Sequence, residues 1–333
     1  MKTSIKTSLS TKKTLLILSV ICVTLGLVCC ILGGLGEFLL PIVIANLAAI
    51  YLFDKKRSFA FIVSGILMAF NLAGVLIGIN ISFFSLAAIV TALILAGAYA
   101  RGQSKSDAAF LSTIVYSLLT VGGMLLLGMI ASKNFTLDAS VNYWVDMYKS
   151  LYDVFVGGIE NLLQMLGEIY KESDIAYLRE VLYLSLDIYF ICIISYLVIG
   201  AFAVIGFSMK AFGFIVKKCA EDNTEIVKWR FATSSIYAYF YLALSLATVF
   251  VSSTDNIFAI AVFNLYYIFM AVYAYVGFKG AVELLKKKLH PALAYLIVIG
   301  VLIIMMRFAL SLLALIGVLY TFSINRKLPS KND

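Results

Sequence analysis

Two ionisable residues, Asp187 and Arg307, fall inside long apolar stretches of the sequence. Charged side chains are costly inside a bilayer, so residues of this kind commonly mark substrate or ion pathways. A pair between the two would offset much of the cost of burying each charge. The alternatives are that Asp187 lies at headgroup depth with Tyr183 and Tyr189, and that the long side chain of Arg307 reaches the interface. We expect Arg307 to face the interior of a helical bundle.

Three amides, at Asn46, Asn71 and Asn264, also interrupt apolar stretches. Amides in a membrane hydrogen-bond across helices, each for about 0.6 kcal/mol on average. With Asp187 and Arg307 they form the candidate intramembrane polar site, and holding helices together is their alternative role. Tyrosines crowd two late spans, where they would line a ligand cavity or lie at the membrane interface. These tyrosines are Tyr237, Tyr239, Tyr241, Tyr266, Tyr267, Tyr273 and Tyr275.

Signatures of catalysis and of metal binding do not occur in the sequence. There is no P-loop, no H-E-x-x-H and no G-x-S-x-G. His290, the only histidine, has no cysteine, histidine or acidic cluster near it in the sequence. The adjacent pair Cys29 and Cys30 lacks the partners and the spacing of a metal site. The sequence therefore predicts a protein that is not an enzyme and that uses no metal or cofactor.

The composition identifies the class of protein. Of the 333 residues, 63% are hydrophobic and only 13% are charged, whereas soluble domains typically carry about 25% charged residues. Long unbroken apolar runs exclude the alternating pattern of a β-barrel. Helices satisfy their own backbone polar groups in lipid. The predicted fold is therefore an all-α polytopic transmembrane bundle of about nine spans, within a range of about 8–10.

The charge-free stretches place these spans. They cover residues 14–36, 38–53, 58–100 (two helices that turn near 78–80), 108–132, 181–209, 231–254, 256–278 and 291–325. The last stretch, 35 residues long, either crosses once or folds back on itself. We expect one span, because two halves of about 15 residues are short for full crossings.

The basic residues indicate the orientation. With the N-terminus in the cytoplasm, the inner segments carry 18 Lys and Arg and the outer segments carry 4. This asymmetry is typical of multi-pass proteins of the cell membrane, and it explains the net charge of +8 without a nucleic-acid partner. One observation disagrees, since nine spans would place Arg326, Lys327 and Lys331 outside.

The long outer segment is acidic, and its pattern is that of an amphipathic helix. Asp146, Asp153 and Glu160 recur every seven residues and so share one face. Such a helix would lie on the membrane or cap the bundle, and would serve as a lid, as a docking surface or only as a solvated face. The predicted regions are a five-span bundle at 1–131, this outer loop at 132–180, membrane helices at 181–325 and a polar tail at 326–333.

Several residues of the C-terminal third carry a resemblance to a known family. Trp229-Arg230 opens a span, Gly280 follows an apolar helix, and Gly317 precedes Arg326 by nine residues. In these motifs and in its general layout the chain resembles the YybS-like family of bacterial membrane proteins of unknown function. Two departures are the missing proline after Trp229-Arg230 and Tyr320 in place of the family's late aspartate. The family's early spans are similar to substrate-binding subunits of energy-coupling-factor transporters, which implies separate ATPase partners.

Two functional hypotheses follow. The first is a transporter or substrate-binding membrane subunit without its own ATPase, whose partners are the lipid bilayer, other membrane subunits and a separate ATPase module. The second is a non-enzymatic membrane scaffold or envelope assembly factor that docks partners through its outer loop or its basic inner segments. An enclosed polar cavity near the midplane would favour transport, and a closed apolar interior would favour a scaffold.

Overall fold

The fold is helical throughout the part of the chain that can be described. The computed structural model describes residues 12–32, 38–54, 57–77, 84–103, 105–167, 169–219, 235–251, 257–304 and 308–325. These residues contain helices and no strand, which confirms the all-α prediction. The helices are α1 Lys12–Leu32, α2 Leu40–Phe53, α3 Ser58–Ile77, α4 Phe84–Ala100, α5 Lys105–Ala131, α6 Leu137–Gly167, α7 Glu172–Ile191, α8 Ile193–Cys219, α9 Ser235–Phe250, α10 Ile257–Lys286, α11 Pro291–Ile304 and α12 Ala309–Asn325.

Three helices of this part of the chain are long and apolar enough to cross a membrane. They are Asp107–Ala131, Ile193–Cys219 and Ile257–Lys286. At a rise of about 1.5 Å per residue, each exceeds the roughly 30 Å of a hydrocarbon core. Seven shorter apolar helices of 10–17 residues accompany them. The structure is therefore compatible with a membrane protein, and the count of about nine spans stays a prediction.

The helices form two compact units. Unit 1 comprises Met1–Leu151 and Gly200–Phe231, and unit 2 comprises Tyr152–Ile199 and Ala232–Asp333. The core of unit 1 is rich in small residues, which let α1, α2, α3, α4 and α5 approach closely. Gly26 of α1 illustrates this, because a Cβ there would overlap the side chain of Leu67 on α3.

A buried carboxylate shapes the turn between α2 and α3 in unit 1. Asp54 is 7% exposed, and its Oδ2 accepts the backbone N–H groups of Phe59 at 2.7 Å and Ala60 at 3.2 Å. These are N–H groups of the first turn of α3, which have no partner within the helix. Arg57 adopts a positive φ of 56° at this turn. Asp54 therefore begins α3 as a helix cap.

Helix α6 packs against α5 in unit 1 at Gly128. The Ser140 hydroxyl donates to the Leu125 carbonyl at 2.6 Å, and Trp144 Nε1 donates to the Met124 carbonyl at 2.7 Å. A Cβ on Gly128 would lie 2.8 Å from Trp144 Nε1 and 3.0 Å from the Ser140 carbonyl oxygen. The glycine therefore permits both bonds. The segment at 132–180 was predicted to be helical, and α6 confirms this with an apolar and a charged face.

The last stretch of the chain departs from the sequence prediction. The expectation of one helix over 291–325 is wrong, since α11 ends at Ile304 and α12 begins at Ala309. Contacts between α10 and α12 keep the same order along both helices: Met270 meets Ser311, Gly277 meets Gly317 and Glu283 meets Tyr320. Helix α12 therefore runs parallel to α10, and the Asn325 and Lys286 ends lie on the same side of unit 2.

Glycines explain why α12 folds back to this position. A Cβ on Gly277 would overlap the Leu313 carbonyl oxygen and lie 2.8 Å from the Gly317 nitrogen. A Cβ on Gly317 would overlap the Tyr273 carbonyl oxygen, and one on Gly280 would lie 2.7 Å from the Tyr320 ring. Small residues at such positions are the usual means by which helices associate in lipid. The close backbone contact of α10 with α12 is thus encoded by three glycines.

Candidate functional site

The three described residues of the predicted polar site lie on three different helices. Asn264 lies buried in α10 of unit 2, where it bonds to another helix. Asn46 lies buried in α2 of unit 1 and donates to the Ile42 carbonyl of its own helix at 2.8 Å. Asp187 lies in α7 of unit 2. Arg307 and the side chain of Asn71 lie outside the described residues.

Asn264 is the centre of a buried hydrogen-bond network in unit 2. Its Oδ1 accepts the Ser195 backbone N–H at 3.0 Å and the Ser195 hydroxyl at 2.7 Å, and the same hydroxyl lies 2.9 Å from the Asn264 main-chain carbonyl oxygen. Its Nδ2 donates to the carbonyls of Ile191 and Ile260, both at 2.9 Å. An amide has two acceptor sites and two donors, so every hydrogen-bonding position of Asn264 is filled. The two donors and two acceptors around it also fix the orientation of the amide.

The Asn264 amide is inserted into the backbone of the helix it contacts. In a continuous α-helix the Ser195 N–H would donate to the Ile191 carbonyl, four residues earlier. Here the Ser195 N–H donates to Asn264 Oδ1, and the Ile191 carbonyl accepts from Asn264 Nδ2. Insertion of a side chain into this ladder is a recognised cause of helix kinks. It accounts for the end of α7 and the start of α8 on either side of Cys192.

This interruption differs from the sequence prediction, which placed one continuous span at 181–209. Cys192 has φ −87° and ψ 14°, outside the helical range, although its N–H still donates to the Ile188 carbonyl at 3.0 Å. Asn264 was among the predicted site residues, but Ser195 was not. Nothing in the sequence distinguishes Ser195 from the other serines of the apolar runs. Its role follows from Asn264, which lies 69 residues away.

Aromatic rings form part of the interior of unit 2. Tyr266 stacks on Tyr241 at 5.8 Å with an interplanar angle of 10°, and Tyr241 meets Tyr273 at 5.4 Å. Tyr241 and Tyr273 are buried, whereas Tyr237 and Tyr239 are more than half exposed. The predicted tyrosine group therefore divides into an inner set that faces the core and an outer set at the surface.

Asp187 is bound by a residue that the sequence analysis did not pair with it. The Tyr152 hydroxyl donates to Asp187 Oδ1 at 2.8 Å, and this hydrogen bond raises the pKa of Tyr152. The rings of Tyr152 and Phe155 both pack edge-on against Phe190, at 5.1 and 6.0 Å. The pair of Asp187 with Arg307 stays a prediction, because Arg307 lies outside the described residues.

A second contact joins α6 to α7 further along. Arg179 donates two hydrogen bonds to Glu160, at 3.1 and 2.9 Å, and the Tyr183 hydroxyl donates a third at 2.9 Å. The bonds from Arg179 and Tyr183 lower the pKa of Glu160. Together with the Tyr152–Asp187 bond, they hold α6 and α7 as an antiparallel hairpin. We refer to residues 152–187 as the α6–α7 hairpin.

The described arrangement offers hydrogen bonding and aromatic packing. Among the described residues, no group of three or more His, Cys, Asp or Glu side chains could hold a metal ion. What the Asn264 network can do is fix the position of a helix interruption through bonds from a side chain of another helix. Comparison with known proteins finds no matching family model, no matching curated protein and no matching solved structure.

Proposed function

We propose that the chain is a transporter or substrate-binding membrane subunit that lacks an ATPase of its own. The observation that carries this proposal is the Asn264 amide inserted between Ile191 and Ser195. Transporters commonly build their substrate sites around helices interrupted at membrane depth, where freed backbone groups become available. An interruption closed by a side chain can open when that side chain takes another partner.

The closed state of this interruption is fully bonded, which gives the proposal a definite mechanism. Asn264 has no free donor or acceptor, so a polar substrate must replace one of its four bonds. The backbone groups most readily released are the Ile191 carbonyl and the Ser195 N–H, because neither bonds to its own helix at this point. A substrate that offers both a donor and an acceptor would replace the amide with little net loss of hydrogen bonding.

The orientation belongs to the same proposal. We propose that the protein lies in the cell membrane with its N-terminus in the cytoplasm. Because α10 and α12 are parallel, their C-terminal ends at Lys286 and Asn325 lie on the same side of unit 2. The predicted orientation places Lys286 in the cytoplasm, and the parallel helices therefore support a cytoplasmic position for the end of α12. The basic residues Arg326, Lys327 and Lys331 follow Asn325 in the sequence. This agrees with the preference of Lys and Arg for the cytoplasmic side, and labelling of single cysteines placed in the tail would test it.

The test of function is native purification of the full chain in nanodiscs, with mass spectrometry of bound small molecules and of partner chains. Ser195→Ala and Ser208→Ala form a matched pair, because both serines are buried in α8. The Ser208 hydroxyl bonds only to the Val204 carbonyl of its own helix in the contacts described. We expect a bound small molecule with the wild type and with Ser208→Ala, and about fivefold higher occupancy with Ser195→Ala, because that variant removes the hydroxyl bond that holds the Asn264 amide in the closed state.

Equal occupancy in the two serine variants, or no bound small molecule and no ATPase partner in any preparation, would exclude the transport proposal. The alternative is a membrane scaffold, and the α6–α7 hairpin is the observation that favours it. This hairpin carries exposed apolar side chains such as Val154 and Met165, which are 68% and 71% exposed. Co-purification of envelope enzymes with the wild type, and their loss when α6 surface residues become polar, would support the scaffold.

A further inference from the structure

The turn between α10 and α11 collects positive charge beside an apolar surface. Lys286, Lys287 and Lys288 follow one another where α10 ends, and all three are exposed. Helix α11 begins four residues after Lys287, at Pro291. We call residues 286–296 the α10–α11 corner. The nearest acid in the sequence, Glu283, accepts a hydrogen bond from the Tyr320 hydroxyl, so its carboxylate is already engaged.

Tyr295 gives this corner a defined geometry. The Lys286 ammonium lies 4.4 Å from the centroid of the Tyr295 ring and 3.3 Å from its hydroxyl oxygen. The Tyr295 ring also packs against Phe278, with the ring centroids 6.2 Å apart. A cation held over a ring keeps its remaining N–H groups available to an anion. Lys286 is therefore positioned, while Lys287 and Lys288 add charge beside it.

His290 adds an exposed imidazole to the same corner. Its Nδ1 accepts the Ala292 backbone N–H at 3.4 Å. A neutral imidazole that accepts at Nδ1 carries its proton at Nε2. The exposed His290 side chain, two residues after Lys288, thus offers one more N–H donor in the same turn. Cationic and N–H donors in one place suit phosphate oxygens, which accept several hydrogen bonds at once.

Apolar side chains on α11 extend directly from these donors. Leu293 is 46% exposed, Leu296 is 65% exposed and Ile299 is 44% exposed. Their spacing of three residues places them along one side of the helix. An inorganic anion would leave this surface uncovered, whereas the acyl chains of a phospholipid would cover it. We propose that the α10–α11 corner binds an anionic phospholipid, with its phosphate at the lysines and His290 and its acyl chains along α11.

The charge argument sets the size of the expected effect. A basic residue near an anionic membrane surface contributes about 1 kcal/mol, which corresponds to about fivefold in affinity. Loss of all three lysines should therefore lower the affinity about 100-fold. The attraction should also weaken with added salt, because the lysines are exposed to solvent.

The experiment measures lipid binding to the full chain by native mass spectrometry in a neutral detergent. Phosphatidylglycerol and phosphatidylcholine with the same acyl chains are the two probes. One variant combines Lys286→Gln, Lys287→Gln and Lys288→Gln. Its matched control combines Lys133→Gln, Lys149→Gln and Lys171→Gln, which removes the same charge from three other exposed lysines. We expect preferential binding of phosphatidylglycerol, a loss of about 100-fold in the first variant and less than threefold in the control.

Several results would overturn the proposal. Equal losses in the two triple variants would show a general effect of net charge. Equal affinity for the two lipids would show that the acyl chains alone determine binding. Competition by inorganic phosphate at millimolar concentration, with no contribution from the acyl chains, would identify a site for a free anion. A Tyr295→Leu variant adds an independent measurement, because it removes the ring under Lys286 without changing the charge and should lower the affinity about threefold.

Discussion

Asn264 of α10 accepts a hydrogen bond from the Ser195 N–H. In a continuous helix that N–H would instead donate to the Ile191 carbonyl. The Ser195 N–H donates to Asn264 Oδ1 at 3.0 Å, and Asn264 Nδ2 donates to the Ile191 carbonyl at 2.9 Å. One side chain of α10 thus completes the hydrogen bonding of both α7 and α8. This relationship makes α10 the element that determines where the helix pair is interrupted.

The first prediction compares Asn264→Ala with Asn46→Ala. Both amides are buried, so the two variants leave similar cavities, but only Asn264 bonds to another helix in the contacts described. Asn264→Ala should lower the free energy of unfolding by about 2 kcal/mol more than Asn46→Ala, because it leaves backbone groups of α7 and α8 without partners. Unfolding in mixed micelles measures the difference. Equal losses would show that the inserted amide contributes nothing beyond its volume.

The second prediction concerns the contact between α10 and α12. Gly277→Ala should destabilise unit 2 by about 1–3 kcal/mol, because the added methyl group overlaps the Leu313 carbonyl oxygen. Gly300→Ala is the control, since a Cβ at Gly300 on α11 meets nothing within 4 Å. Thermal unfolding of the purified variants is the measurement. If Gly277→Ala were as stable as Gly300→Ala, α10 and α12 would not pack through their glycines.

The third prediction is a pH dependence of the α6–α7 hairpin. Arg179 and Tyr183 lower the pKa of Glu160 from its ordinary value of 4.5. A lowered pKa means that the ionised carboxylate favours the closed hairpin, so this stabilisation is complete above pH 4.5 and is lost as the pH falls through the lower folded-state value. Hydrogen exchange of the backbone amides 172–183, corrected for the intrinsic effect of pH, should therefore accelerate at acidic pH.

Two variants test the origin of that pH dependence. Glu160→Gln should already exchange faster at neutral pH and should lose the acidic transition, because it has no carboxylate to protonate. Asp153→Asn is the control, since Asp153 is an exposed acid on the same helix and should leave the transition unchanged. A transition that persists in Glu160→Gln would assign the pH dependence to another group.

The fourth prediction concerns a buried hydroxyl in unit 1. The Thr91 hydroxyl has no hydrogen-bond partner among the described residues, whereas the Thr113 hydroxyl donates to the Ala109 carbonyl at 2.8 Å. Thr91→Val should stabilise the protein by about 1 kcal/mol, because it removes a buried polar atom without a compensating bond. Thr113→Val should be neutral or destabilising. Thermal unfolding of both variants gives the comparison, and destabilisation by Thr91→Val would mean that its hydroxyl has a partner.

Part of this structure could be predicted from local sequence patterns. Helices follow from long apolar runs, because a backbone in lipid must satisfy its own polar groups. The single amide of α10, Asn264, was identified as a site residue because a polar group in an apolar run requires a partner. The helical nature of the segment at 132–180 followed from the spacing of Asp146, Asp153 and Glu160.

The partners themselves were decided only by the tertiary structure. Ser195 and Tyr152 were not identified as the residues that bind Asn264 and Asp187, because the partners are 69 and 35 residues apart and local spacing does not show which of them meet. The fold-back of α12 was missed for a related reason. In a membrane the inward and outward faces of a helix are both apolar, so periodicity does not show which face packs against a neighbour. The sequence by itself thus determined the helices and their polar residues, and packing determined which of those residues meet.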